Sequence, residues 1–122
     1  MKKILIVDDQ EEVRELVEVT MRGDGYELLQ AASGQEAIDI ARAKKPELII
    51  MDIMMPGEID GLEATRIIKS DPETASCTIV MLTAKGQKTD IEKGRKAGAD
   101  DYFVKPFSPL LLLKKIEEVL GD

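Results

Sequence analysis

Several residue types that carry chemistry or covalent cross-links are absent from this chain or rare in it. Its 122 residues include no histidine and no tryptophan, and only two phenylalanines and two tyrosines. Without an imidazole, the chain cannot use histidine as a base or as a metal ligand. Because aromatic residues are so few, we expect a core of aliphatic side chains. Cys77 is the only cysteine, which excludes an internal disulfide and fits a reducing compartment.

Long apolar runs are also missing. After Met1-Lys2-Lys3 there are only four consecutive apolar residues, fewer than a signal peptide needs, and no run approaches the length of a membrane span. We therefore expect a cytoplasmic protein without membrane contact. Acidic residues outnumber basic ones by 24 to 17, which leaves a net charge of −7 that repels phosphate backbones. Direct binding of nucleic acid by this chain is therefore not expected.

The chain has the length and composition of one compact domain, which we expect to span residues 1–122. Apolar runs, typical of strands buried on both faces of a sheet, alternate with helical patterns five times. The predicted strands are 4–7, 48–51 and 79–82, with 26–32 and 101–104 as weaker candidates. This alternation predicts an α/β fold: a five-stranded parallel sheet, doubly wound, with helices on both faces.

Periodicity and capping residues predict the helices between these strands. Positions 13, 16, 17, 20 and 21 place apolar side chains and one threonine on one face of the first helix. Ser33 and Glu36 predict a capping box for the second helix, and Asp60 predicts the N-cap of the third. The fourth, near 89–97, is the weakest because a glycine interrupts it. Ser108 followed by Pro109 predicts the start of a fifth helix that ends near residue 120.

Five polar residues fall at the carboxyl ends of the predicted strands. Asp8 and Asp9 directly follow the first strand, Asp52 ends the third, Thr83 ends the fourth and Lys105 follows the fifth. In an open α/β sheet this edge binds ligands, because the parallel strands all end there. We therefore expect these five side chains to meet, although they are widely separated in the chain.

The residue types in this group suit phosphoryl transfer. Three converging carboxylates repel one another and need a cation nearby, and Mg²⁺ takes oxygen ligands and often bridges to phosphoryl oxygens. Lys105 and Thr83 offer an ammonium and a hydroxyl to a phosphoryl group. Aspartate is an accepted nucleophile that forms an acyl phosphate, and the transfer requires little beyond positioning and charge neutralisation.

Each of these residues also has a simpler interpretation. Asp8 and Asp9 could cap the first helix, Asp52 could be a turn residue, Thr83 could be an ordinary strand residue, and Lys105 could be a solvated charge. Five independent coincidences at one sheet edge would then be required. Competing phosphate loops are excluded, since the chain has neither a GxxxxGK[ST] nor a GxGxxG motif.

Several stretches closely resemble the receiver family of two-component response regulators. The resemblance covers the whole chain, and the combination of motifs is highly specific although each piece alone is not. It implies a flavodoxin-like fold with the strand order 2-1-3-4-5. The matching stretches are 4–9 (ILIVDD), 52–56 (DIMMP), 60–61 (DG), 81–84 (MLTA) and 98–107 (GADDYFVKPF).

The resemblance implies a metal site and a phospho-acceptor. Asp52 would accept the phosphoryl group. Asp9 and Asp52 would bind Mg²⁺ directly, together with the backbone carbonyl of Met54, and Asp8 would assist through a water molecule.

The resemblance also implies how the phosphoryl group is bound and sensed. Lys105 and Thr83 would contact it, and Tyr102 would be the aromatic switch residue. The Lys105-Pro106 peptide is often cis in this family. Lys85 and Met54 flank the site, where we expect them to tune hydrolysis of the phosphate.

The implied function is a switch activated by phosphorylation, with a sensor histidine kinase or phosphotransfer protein as donor and a downstream protein or fused effector as target. Residues 98–102 resemble receivers of winged-helix transcription factors. This favours a phosphorylation-dependent homodimer through the fourth helix, fifth strand and fifth helix, with Asp100 or Asp101 meeting Lys114 or Lys115. Four consecutive leucines at 110–113 cannot all face the core. The excess either packs under the fourth helix or forms a partner patch.

Other functions and one departure from the family stay open at this point. A receiver-like scaffold that works without phosphorylation should have lost Asp52 or an acidic neighbour, and neither is lost. Enzymes with an aspartyl-phosphate intermediate commonly carry a carboxylate two residues further on, where this chain has Met54. We therefore expect a regulator that assists its own phosphorylation and dephosphorylation, not an enzyme. The loop 57–59 is one residue longer than usual, and the sequence does not say whether the receiver stands alone.

Overall fold

The computed structural model describes residues 1–84 and 88–121, which form one parallel sheet with helices on both faces. The strand order is β2-β1-β3-β4-β5, which confirms the predicted fold. The strands are β1 (Lys2–Val7), β2 (Tyr26–Ala31), β3 (Leu48–Asp52), β4 (Thr78–Ala84) and β5 (Asp101–Lys105). The helices are α1 (Glu11–Met21), α2 (Gly34–Lys44), α3 (Gly61–Ser70), α4 (Lys88–Ala97) and α5 (Pro109–Leu120).

The sheet separates two aliphatic cores. Successive side chains of β1 alternate between them, so that Leu5 and Val7 join α2 and α3, whereas Ile4 and Ile6 join α1 and α5. The middle strands are buried on both faces, since all five residues of β3 are buried. This explains why their sequences are continuous apolar runs.

The predicted caps are confirmed in part. Ser33 accepts a hydrogen bond from the backbone N–H of Glu36 at 3.2 Å. The Glu36 carboxylate accepts from the N–H of Ala32 at 3.4 Å, and not from the N–H of the cap residue as a capping box requires. Asp60 caps α3 by accepting from Glu63 N–H at 2.9 Å. Ser108 is the N-cap of α5 and Pro109 lies in its first turn, which confirms the predicted start of this helix, although the Ser108 side chain makes no capping hydrogen bond.

Two predicted features of α1 and α4 need correction. Leu16 does not face the core: its exposed fraction is 42%, and only Val17 and Met21 of α1 are buried. In α4, Gly94 does not break the helix. A Cβ atom there would lie 3.3 Å from Cγ of Met81, so the glycine lets α4 pack closely on β4. None of the helices in residues 1–84 and 88–121 is long and apolar enough to cross a membrane.

Candidate functional site

Three carboxylates meet at the carboxyl edge of the sheet. Asp8 and Asp9 directly follow β1, and Asp52 is the last residue of β3. One carboxylate oxygen of each of the three residues lies within 4.8 Å of the other two. Asp8 is fully buried and Asp52 is 5% exposed, whereas Asp9 is open to solvent. The arrangement is an acidic cluster with two buried members and one at its mouth.

Lys105, the last residue of β5, supplies the only ammonium that the described residues place on this cluster. Its Nζ lies 2.8 Å from Oδ2 of Asp8 and 3.3 Å from Oδ2 of Asp52. Burial by itself would lower the pKa of Lys105, but the hydrogen bond to Asp8 and the charge of Asp52 outweigh it and raise the pKa above its usual value. Lys105 therefore pairs with both buried carboxylates, and its shorter contact is to Asp8.

The single ammonium of Lys105 does not balance three carboxylates, and the pKa of Asp52 reflects the excess of negative charge. Burial, and then repulsion from Asp8, raise the pKa of Asp52 from 3.8 to about 6, although Lys105 and the N–H of Met54 oppose the shift. Hard divalent cations prefer carboxylate and carbonyl oxygens. The donor set therefore fits Mg²⁺, with Asp9 at the open side.

Asp8 supports the start of α1 without capping it, because Gln10 is the N-cap of that helix. Oδ1 of Asp8 accepts from the backbone N–H of Gln10 at 2.9 Å, next to the start of α1, while its Oδ2 accepts from Lys105. One buried carboxylate thus holds the turn after β1 and joins it to β5. Different oxygens of the same carboxylate make the contact within the turn and the contact with Lys105.

Thr83 carries an unsatisfied hydroxyl at this edge. The side chain is buried, and its Oγ1 has no hydrogen-bond partner among the described residues. A buried hydroxyl without a partner is costly, and native proteins usually pair such groups. The unpaired hydroxyl of Thr83 is therefore available to donate to an oxygen atom of a ligand bound at this edge.

Close packing of α3 positions the backbone at Asp52. A Cβ atom on Gly61 would lie 2.0 Å from the carbonyl oxygen of Asp52, so only glycine fits there. The N–H of Gly61 donates to the carbonyl of Ile53 at 3.2 Å, and the N–H of Met54 donates to Oδ1 of Asp52 at 3.4 Å. The Met54 side chain is 73% exposed at the rim.

Sequence reasoning missed two residues beside the site. The Asp60-Gly61 pair was matched as a motif, but no pattern indicated how closely Gly61 approaches Asp52. Arg14 was not singled out, yet its Nη1 donates to the backbone carbonyl of Asp8 at 2.7 Å. Only the packing of α1 on the sheet reveals that contact. Lys85, expected to tune hydrolysis, lies outside the described residues.

The predicted switch residue Tyr102 is half-buried beneath α4. It lines a cavity of about 40 Å³ together with Met81, Ile91 and Gly94, among others. This cavity lies on the same side of the sheet as α3 and α4, because Tyr102 packs against the core that contains Met81. The ring therefore has a small space next to it.

The structure decides between the two alternatives for the leucines and shows how the acidic residues near the α4, β5 and α5 face are paired. Leu110 and Leu111 are 76% and 58% exposed, so the excess leucine does not pack under α4; Leu112 is the one that is buried. The acidic residues are already paired within the chain: Asp101 with Lys115 at 3.0 Å, and Asp100 with Lys69 at 2.9 Å. Contacts between these acids and lysines of a second copy would have to replace or share those pairs.

Fold and site together define a class: a doubly wound α/β protein with a buried carboxylate, an acidic cluster and a lysine at the carboxyl edge of its sheet. Comparison with known families identifies the class. The model for the response regulator receiver domain matches residues 4–117. The chain belongs to this receiver family of two-component response regulators.

Curated relatives of two kinds match nearly the whole chain. The phosphate regulon transcriptional regulatory protein PhoB of Pseudomonas aeruginosa is 44% identical over 98% of this chain, which covers 52% of PhoB. The chain thus spans about half the length of that relative. Protein PilH of the same organism is 38% identical, and the match covers 99% of both chains.

Solved structures share the same fold at full length. A putative response regulator from Chloroflexus aurantiacus has a TM-score of 0.91 and 39% identity, covering 99% of this chain and 98% of that one. Chemotaxis response regulator CheY4 of Vibrio cholerae has a TM-score of 0.90 and 34% identity, covering 98% of each chain. Response regulators therefore match in sequence and in architecture, which does not favour the scaffold alternative.

Proposed function

We propose that Asp52 accepts a phosphoryl group from a histidine kinase or a phosphotransfer protein and that this modification activates the domain. The observation that carries the proposal is the convergence of Asp8, Asp9 and Asp52 within 4.8 Å, with Lys105 on two of them. The unpaired hydroxyl of Thr83 supports it, because a phosphoryl oxygen would satisfy that donor.

The metal in the proposal is Mg²⁺. Asp9 and Asp52 would hold it with the backbone carbonyl of Met54, and Asp8 would assist through a water molecule. When bound, the cation would neutralise charge on the phosphoryl oxygens. The excess of carboxylates over ammonium groups at this edge supports the assignment.

The chain's own residues perform the transfer. A carboxylate oxygen of Asp52 forms a bond to phosphorus while the phosphorus–nitrogen bond of the donor phosphohistidine breaks, and the imidazole nitrogen keeps the electron pair. The product is an acyl phosphate. Lys105 can exchange its contact with Asp52 for one with a phosphoryl oxygen, and Thr83 can donate to another.

Incubation with acetyl phosphate and Mg²⁺, followed by intact mass measurement, tests the proposal. The wild-type chain should gain one phosphate, and Asp52→Asn should gain none. Asp39→Asn changes an exposed carboxylate of α2 and should gain one phosphate like the wild type. Full labelling of Asp52→Asn would place the acceptor elsewhere, with Asp8 or Asp9 next to be tested. A wild-type chain without label would favour a scaffold, and turnover of many phosphoesters would favour an enzyme.

The proposal also covers where the domain acts and which molecules it contacts. We infer a cytoplasmic receiver that spans residues 1–122, assists its own phosphorylation and dephosphorylation, and transforms no other substrate. Its target would be a downstream protein or a fused effector, and the chain itself would not bind nucleic acid. The net charge of −7 supports the last point.

The output surface would be the face of α4, β5 and α5. Movement of Thr83 toward a phosphoryl oxygen would open space next to β4, and the Tyr102 ring could turn inward to fill it. Exposed Leu110 and Leu111 make this face a candidate for a phosphorylation-dependent homodimer or partner contact. Light scattering with and without beryllofluoride, repeated for Tyr102→Ala and Leu111→Glu, tests it. Association that neither substitution alters would place the output surface elsewhere.

A further inference from the structure

The backbone of Asp8 is held from two directions. Its N–H donates to the carbonyl of Ala31 on β2 at 3.1 Å, and its own carbonyl accepts from Nη1 of Arg14 at 2.7 Å. Both oxygens of the Asp8 side chain therefore stay available for Gln10 and Lys105. The peptide units around Asp8 are fixed without using its carboxylate.

Arg14 is itself held by a chain of half-buried polar groups. Its Nε donates to Oε1 of Gln30 on β2 at 3.1 Å, and Nε2 of Gln30 donates to Oε2 of Glu18 at 2.6 Å. Glu18 lies on α1, four residues after Arg14. A planar guanidinium that donates in two directions has little freedom to rotate, so its position is set by β2 and α1 together.

Arg14 places a positive charge close to the proposed metal site. A cation near a metal site weakens binding of another cation by repulsion. Within the described ranges, no carboxylate lies at ion-pair distance from Arg14, so it does not compensate the acidic cluster by direct pairing. Repulsion between the guanidinium and a bound cation would weaken metal binding, and the hydrogen bond to the Asp8 carbonyl is the contribution of Arg14 that the structure shows.

The Asp8 carbonyl that Arg14 binds belongs to the peptide unit that leads into Asp9. The Asp9 side chain is exposed and has no hydrogen-bond partner among residues 1–84 and 88–121, so the turn after β1 determines where its carboxylate lies. We propose that Arg14, with Gln30 and Glu18 behind it, is a positioning residue. It holds the turn after β1 so that Asp8 and Asp9 present their carboxylates to a divalent cation. This inference rests on the proposed metal site.

Titration calorimetry with Mg²⁺ alone tests the proposal. Arg14→Met should weaken Mg²⁺ affinity roughly 10-fold, as substitutions behind metal ligands do, and Gln30→Met should weaken it less. Arg42→Met is the matched control, because Arg42 is an exposed arginine of α2 that pairs with Asp71 at 3.2 Å and contacts none of the three network residues among the described residues. Unchanged or tighter binding in Arg14→Met would overturn the proposal, since loss of repulsion alone predicts tighter binding.

A measurement without metal separates the two proposals. In EDTA, the amides of Asp9 and Gln10 should exchange hydrogen several-fold faster in Arg14→Met and in Gln30→Met than in the wild type or in Arg42→Met. Unchanged exchange at these amides would mean that the network only docks α1 on β2. A wild-type chain that binds no Mg²⁺ would refute the metal site instead, while the exchange data still test the positioning role.

Discussion

In the absence of a divalent cation, the charge on Asp52 opposes folding. The folded environment raises the pKa of Asp52 from 3.8 to about 6, chiefly through burial and repulsion from Asp8. The unfolded chain releases this proton near the ordinary value. Between the two values the folded protein holds more protons, so the free energy of unfolding falls as pH rises through this window and stays reduced above it.

The loss in the free energy of unfolding can be calculated from the pKa shift of Asp52. A displacement of about two pKa units corresponds to about 3 kcal/mol, as an upper value. The raised pKa of Lys105 acts only in alkaline solution: its contribution is fully present below the ordinary lysine pKa of 10.5 and is lost above it. Lys105 therefore adds no slope between pH 4 and pH 8.

Asp52→Asn removes the charge and keeps the shape of the side chain. In EDTA at pH 8, the variant should unfold at a higher urea concentration than the wild type, with a gain approaching about 3 kcal/mol. At pH 4.5 the gain should shrink to about 1 kcal/mol, because the folded carboxyl is then protonated while the unfolded one is still largely ionised, and it should vanish only below the ordinary pKa of 3.8. Added Mg²⁺ at pH 8 should narrow the difference by stabilising the wild type more.

Asp39→Asn is the control, since it removes an exposed carboxylate of α2 that lies outside the cluster. It should leave the urea midpoint nearly unchanged at both pH values. The reasoning is refuted if Asp52→Asn is no more stable than the wild type at pH 8 without metal. It is also refuted if its advantage does not depend on pH.

Three further substitutions probe the same edge. Asp9→Ala should weaken Mg²⁺ binding in a calorimetric titration while the fold stays intact or becomes more stable, because one ligand and one repulsion disappear together. Lys105→Ala should still take up some phosphate by intact mass but should not couple it to partner binding; a phosphorylated variant that binds like the wild type contradicts this role. Gly61→Ala forces a Cβ atom to 2.0 Å from the Asp52 carbonyl, so urea unfolding should show a loss of more than about 2 kcal/mol, and phosphate uptake should fall.

Some features could be predicted from the chain because neighbouring residues determine them. Alternating apolar runs and helical patterns indicated five strands and five helices, since burial on both faces leaves a continuous apolar sequence. Asp60 was correctly read as an N-cap, because a capping bond spans only three residues. Asp8, Asp52, Thr83 and Lys105 were expected at one edge, because parallel strands end on the same side of their sheet.

Other features depend on how the elements pack, and no local pattern encodes them. Leu16 fits the apolar periodicity of α1, yet it is exposed because neighbouring elements cover only part of that helix face. Lys105 lies closer to Asp8 than to Asp52, and Asp101 pairs with Lys115 inside the chain, because those distances follow from strand register and helix placement.

By itself, the sequence determined the α/β class, the receiver resemblance and the residue types available for chemistry. These follow from composition, periodicity and motifs within short stretches of chain. Only the tertiary structure decided the environment of each group: the buried carboxyl of Asp52, the unpaired hydroxyl of Thr83, and the guanidinium of Arg14 on the Asp8 carbonyl. Burial, pKa and hydrogen-bond partners depend on atoms from distant segments, whose positions are set only when the helices pack on the sheet.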